Sequence, residues 1–177
     1  MMTRPALALA LSLGLATAAA AQPYNSNAPI DFDADTIELQ DRANRAVLAG
    51  NVAIKQADLA LNAARVTVAY TGKLSDGSPQ ASRIDASGGV TVRRPDQTAR
   101  SRFAVYDVNR RLITMLGAVT LTQAGNTVNG GRLTINLDSG RAVIDGSSVG
   151  GAIRGADGTV TQSGGRVSGR FSVPRRD

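Results

Sequence analysis

The chain has 177 residues and a formal net charge of +6, with no Cys, His or Trp. Without thiols there are no disulfides, thiolate metal sites or thiol catalysis, and without His neither the commonest general base nor a Ser-His nucleophile is available. The basic balance is carried by Arg far more than by Lys, and in an exported chain it suits an anionic partner such as phosphorylated lipid, anionic glycan or a membrane surface; ordinary solubility charge gives the same balance.

Residues 1–21 read as a secretory signal peptide. Arg4 supplies the positive start, residues 6–15 are apolar apart from Ser12 and Gly14, and Ala19-Ala20-Ala21 is a small-residue cleavage site. The apolar run is short and no basic stop-transfer segment follows, which disfavours a transmembrane anchor. Cleavage leaves Gln22 as the first residue and, with Arg4 gone, takes +6 to +5.

Residues 22–29 are polar, with Pro23 and Pro29 near the ends, and read as a flexible leader. From Ile30 a period of two begins. Ile30, Phe32 and Ala34 face one way and Asp31, Asp33 and Asp35 the other; Ile37 and Leu39 continue in shifted register, which predicts a kink near Asp35-Thr36. The three Asp are read as a solvated strand face, since they lack the ligand-and-Gly spacing of a calcium loop. Residues 41–48 and 59–68 have some helical propensity, but strand is favoured for both, most clearly where Val66, Val68 and Tyr70 alternate with Thr67 and Ala69.

The same alternation places Val52 and Ile54, then Leu59 and Leu61, on one strand face. After the turn at Asp76-Gly77-Ser78-Pro79 it resumes at Ile84, Val90 and Val92. Beyond Arg93-Arg94-Pro95-Asp96 come Phe103 and Val105, then Val119 and Leu121, then Leu133, Ile135 and Leu137, with turns near 107–110, 124–126 and 138–140. The fold class is therefore all-β, with one domain over 30–149. Residues 150–177 are rich in Gly, Ser and Arg and read as a mostly flexible tail, with 167–173 as one further extended segment.

A short phrase recurs along this domain. Gly50-Asn51-Val52-Ala53-Ile54 returns as Gly88-Gly89-Val90-Thr91-Val92 and as Gly117-Ala118-Val119-Thr120-Leu121, with a weaker echo at Gly146-Ser147-Ser148-Val149. A period of roughly 30–40 residues is the mark of a repeating architecture, and Gly inside a strand marks a bulge or bend. No phosphate-cradling Gly-Lys-Ser/Thr occurs, and the scarcity of aromatics disfavours carbohydrate enzymes and nucleic-acid platforms. The residues point to a binding or scaffold protein rather than an enzyme, with no cofactor.

The phrase carries a resemblance. Gly50-Asn51-Val52-Ala53-Ile54-Lys55-Gln56, its second form Leu116-Gly117-Ala118-Val119-Thr120-Leu121-Thr122-Gln123, Tyr106-Asp107, and the run from Gly130-Gly131-Arg132-Leu133 to Asp138-Ser139-Gly140 together resemble the OstA-like family of periplasmic lipopolysaccharide-transport proteins, the LptA group. Ala57 stands where the family usually has Gly, and Gly89 where Asn is commoner. The resemblance implies an OstA-like β-jellyroll, folded like a partly open V with an apolar groove. It also implies a non-enzymatic carrier that takes lipopolysaccharide, or a related anionic glycolipid, from an inner-membrane export complex to an outer-membrane translocon. The partners would dock by β-strand addition at the first and last strands, in a head-to-tail chain of copies and with no nucleic acid involved.

On that reading the aliphatic face lines the groove, through Val52, Ile54, Leu59, Leu61, Val66, Val68, Val90, Val92, Phe103, Val105, Val119, Leu121, Leu133, Ile135 and Leu137. Arg93 and Arg94 are candidates to meet lipid phosphates. The alternation itself fits a closed sandwich core equally well, and a slip of one residue exchanges a strand's whole set. Three other readings stay open: a structural β-repeat scaffold without cargo, an exported module for anionic glycan, and a non-catalytic assembly factor for outer-membrane proteins.

Overall fold

The computed structural model describes residues 24–72, 77, 79–146, 153–154, 160–161 and 166–170. The signal peptide and most of the tail lie outside them, as does the echo of the phrase beyond Gly146. The strands are β1 (Asp31–Asp33), β2 (Thr36–Gln40), β3 (Arg45–Gln56), β4 (Leu59–Thr71), β5 (Gln80–Arg94), β6 (Gln97–Asp107), β7 (Leu112–Gln123), β8 (Asn126–Asn136), β9 (Ala142–Asp145), β10 (Ile153–Arg154), β11 (Val160–Thr161) and β12 (Ser168–Arg170). A single 3-10 turn, Asp41–Ala43, precedes β3, so the strand expected over 41–48 starts only at Arg45. Asn44 between them is left-handed.

β3 to β8 form an antiparallel meander in which each strand pairs with the next. The sheet does not close: it ends at one side in β1 and β2, both on β3, and at the other in β9 and β12, both on β8. β10 and β11 form a separate two-stranded ribbon. The expected extended segment in the tail is present as β12, whose Gly169 pairs with Val128.

The long strands do not run straight. The pairing shifts register between Ala49 and Val52, Asn62 and Arg65, Ser87 and Val90, Arg100 and Phe103, and Leu116 and Val119, all at one level across the sheet. A bulge bends its strand and increases the twist, so a row of them creases the sheet into two legs. The recurring phrase is the chemistry of that crease. Gly50 and Asn51, Gly88 and Gly89, and Gly117 and Ala118 all have positive φ, a region open to Gly and costly for most other residues. At Gly88 space is also required, since a Cβ there would lie 2.6 Å from the Ala64 Cβ.

One leg carries β2, β9 and the halves of β3 to β8 that include Leu48, Val66, Ile113 and Leu133; the other carries β1, β12 and the halves that include Val52, Leu61, Val92 and Val119. Apolar residues of both legs belong to one buried cluster, so the legs are folded face to face around a common interior. This is the all-β architecture the residues predict and the open, jellyroll-like sheet the resemblance implies.

Candidate functional site

The two legs meet at a mouth on the β1/β2 side. β2 lies over the start of β3, with Ile37 opposite Leu48 and Leu39 opposite Ala46; β1 lies over its end, with Phe32 opposite Ile54. The kink between them is fixed by Asp35, whose N–H donates to the Gly50 carbonyl at 3.0 Å and whose Oδ2 accepts from Asn51 Nδ2 at 2.9 Å. β1 and β2 belong to opposite legs and line one pocket between them instead of packing together. Phe32, Ile37 and Leu39 are therefore left 51%, 49% and 55% exposed.

These three residues line an apolar pocket of about 460 Å³, with Ile30, Leu48, Ile54, Val68 and Tyr70 behind them and Ser26, Ala28 and Pro29 of the leader along one side. Its size falls in the range of small-ligand pockets, about 300–1,000 Å³. Tyr70 is held in the wall by its hydroxyl, which donates to Asp41 at 3.3 Å, and by its N–H, which donates to the Asn44 carbonyl at 3.0 Å.

The leader, over its described part 24–29, is tied to the fold through one buried amide. Gln56, 2% exposed, is the Gln that closes the first copy of the phrase. Its Oε1 accepts from Tyr24 Oη at 2.8 Å and from Tyr106 Oη at 2.7 Å. Its Nε2 donates to the Ser26 and Ala28 carbonyls, both at 3.0 Å. All four hydrogen-bonding positions of a primary amide are thereby used. Burial pushes the Tyr24 and Tyr106 hydroxyls above the ordinary phenol range, so both stay protonated and donate.

The aliphatic residues expected to line a groove fall into three groups. Ile54 and Val68 line the pocket. Val52, Leu59, Leu61, Val66, Val90, Val92, Val119, Leu121, Leu133, Ile135 and Leu137 lie in the packed interior between the legs, none more than 9% exposed. Phe103 and Val105 stand instead on the outer face, Phe103 47% exposed, beside a shallow dent of about 240 Å³ that includes Arg65 and Thr67. The inward set of β6 is Ala99, Ser101, Ala104 and Tyr106. Its register shift at 100–103 carries no Gly to announce it and is spanned by Ser101 Oγ donating to the Phe103 carbonyl at 2.8 Å.

Of the two candidate phosphate contacts, Arg93 donates to Asn62 Oδ1 at 3.2 Å. Arg94 is covered by the Tyr24 ring, its guanidinium carbon 5.7 Å from the centroid, and its Nε is buried without a hydrogen-bond partner among the described residues. Asp31 and Asp33 are exposed, and no group of His, Cys, Asp and Glu among the described residues is placed to hold a metal ion. No helix among the described residues is long and apolar enough to cross a membrane.

The residues missed by sequence reasoning are those of the mouth and its tie: Ile37 and Leu39 as pocket walls, and Gln56 with Tyr24 and Tyr106. The phrase did end on Gln56, but nothing in one sequence separates a buried Gln from an exposed one.

Residues 31–141 match the family described as LptA/(LptD N-terminal domain) LPS transport protein. An uncharacterized protein of Rhizobium meliloti (strain 1021) is 27% identical over 125 residues, which cover 68% of this chain and 67% of that protein. Among solved structures, LptH of Pseudomonas aeruginosa, described as the LptA-homologous periplasmic component of the conserved lipopolysaccharide transport device, superposes with a TM-score of 0.66. It is 20% identical and covers 85% of this chain and 100% of that one. At that identity the likeness speaks for the fold.

Proposed function

The chain belongs to the LptA/(LptD N-terminal domain) family of LPS transport proteins, and from that premise we propose that its apolar mouth takes acyl chains of lipopolysaccharide or a related anionic glycolipid in the periplasm. The observation that carries the reading is the pocket of about 460 Å³ walled by the exposed Phe32, Ile37 and Leu39. An acyl chain gains roughly 0.8 kcal/mol per buried methylene, so an aliphatic wall suffices to hold it without a hydrogen-bonding pocket. The interior face from Val52 to Leu137 becomes the continuation of the groove as the legs part along the line of bulges. Aliphatic contacts of this kind are non-directional, which lets cargo slide and leave.

The two open ends of the sheet serve the hand-over. β1 and β2 at one end and β9 and β12 at the other leave outer edges available for strand addition. A head-to-tail row of copies then bridges an inner-membrane export complex and an outer-membrane translocon. The exposed Asp31 and Asp33 on one end and Arg166 on the other are of opposite sign. A cargo-free β-scaffold would have the same packed interior, but it has no use for three large apolar side chains half in water.

The test is a titration of the purified chain with intact lipopolysaccharide and, separately, with its deacylated sugar portion. The wild type binds the first and not the second, and an Ile37→Asp/Leu39→Asp variant that remains folded binds neither. Equal binding of the deacylated form would move the reading to a glycan module.

A further inference from the structure

The leader does something no groove lining requires. Residues 26, 28 and 29 form one side of the pocket, and they are held there largely through a single side chain, Gln56. That amide also joins the legs, because Gln56 ends one leg and Tyr106 lies in the other. Arg111 of the same leg as Tyr106 reaches the leader as well, its Nη2 donating to Asn27 Oδ1 at 3.5 Å. Apart from these ties, the hydrogen bonds of the leader among the described residues are internal to it: the Ser26 N–H to the Tyr24 carbonyl, the Ala28 N–H to the Asn25 carbonyl and the Asn27 N–H to Asn25 Oδ1. It is joined to no strand ladder.

We propose that residues 24–29 are a removable strap, latched by Gln56, whose release opens the pocket to an acyl chain and uncovers Arg94 for the anionic headgroup of the same lipid. The inference rests on the carrier reading above and adds the gate to it.

Three features support it. A segment held by side-chain hydrogen bonds outside the sheet opens locally without unfolding the sheet, since local opening costs far less than global unfolding where few backbone bonds are broken. The latch is polar and at the rim of an apolar pocket, so releasing it exposes groups that water can satisfy, while the cargo takes over the apolar wall. Finally, Arg94 is under-used as it stands. Its Nε is buried with no partner among the described residues while Tyr24 lies over the guanidinium. A cation in that state gains on release of the ring if an anion replaces it. Opening of the pocket and exposure of the cation are thus one event, because Tyr24 hangs from the same Gln56 side-chain amide that holds Ser26 and Ala28.

The experiment compares the wild type with Tyr24→Phe and Gln56→Met. Hydrogen exchange of a peptide spanning 24–29 is measured without lipid, and the association rate with fluorescent lipopolysaccharide by stopped flow. Tyr24→Phe removes one hydroxyl at the rim and keeps the fold if Gln56→Met does not. The expected result is exchange at least tenfold faster at 24–29, unchanged exchange in β7 and β8, and association several-fold faster. Faster exchange with an unchanged association rate overturns the gate and leaves the carrier reading standing. Slower association also overturns it, because the leader is then a fixed part of the binding wall. A wild type and variants that all fail to bind lipopolysaccharide remove the carrier reading and the strap with it.

Discussion

The first edge and the inner strands are written in the same alphabet and end in opposite states. β2 alternates Ile37 and Leu39 with Glu38, much as β7 alternates Ile113 and Met115 with Thr114. Yet Ile113 and Met115 are 0% exposed and Ile37 and Leu39 are about half exposed. The difference lies in what stands opposite. Inner strands are creased, and the apolar face of one leg covers the apolar face of the other. At the edge the sheet runs out, and the alternation faces a pocket instead of a leg. Apolar alternation thus encodes a face, and only its neighbours decide whether that face is core or binding surface.

Substitutions sharpen this contrast. Ile113→Ala leaves a cavity between the legs and costs about 2–5 kcal/mol, whereas Ile37→Ala, with the same atoms removed, costs under about 1 kcal/mol; urea unfolding of the two variants reads the difference directly. Gly88→Val attacks the crease that makes the contrast possible. With φ at +83° and Ala64 in the way, it costs about 1–3 kcal/mol, seen as a lower unfolding midpoint. Leu39→Asp leaves unfolding almost unchanged and weakens lipopolysaccharide binding at least tenfold, since the apolar contact of the half-exposed Leu39 is lost and a carboxylate has to be desolvated in its place. The smallest effect is at a pair on the outer face of β5, which no leg covers. Arg83 and Asp85 lie 2.8 Å apart on the exposed face, and Asp85→Asn shifts stability by no more than about 0.5 kcal/mol.

Much of this was legible in advance because the governing signals are local. The period of two placed the strands, turn residues placed most of the connections, and the Gly-x-Val phrase marked the crease in β3, β5 and β7. The even-numbered strands bend at the same level without the phrase, through Ala63-Ala64, Ser101-Arg102 and Gly130-Gly131. That is why β6 was misread. Across the crease it has one residue fewer than β5 or β7, so its inward positions change from Ala99 and Ser101 to Ala104 and Tyr106, and the more conspicuous Phe103 and Val105 face out. Nor does a polar leader announce that a buried Gln lies 30 residues away to hold it. Long-range hydrogen bonds leave no period in the sequence, and the Gln56 hub depends entirely on them.

The most direct test of the account is photocrosslinking in living cells, with a photoreactive residue at Leu39 and, separately, at Glu38 next to it on the opposite face of β2. The account predicts a glycolipid adduct at Leu39 and none at Glu38. A folded, functioning protein that gives no adduct at Leu39, or equal adducts at both positions, would contradict the claim that the apolar mouth carries the lipid.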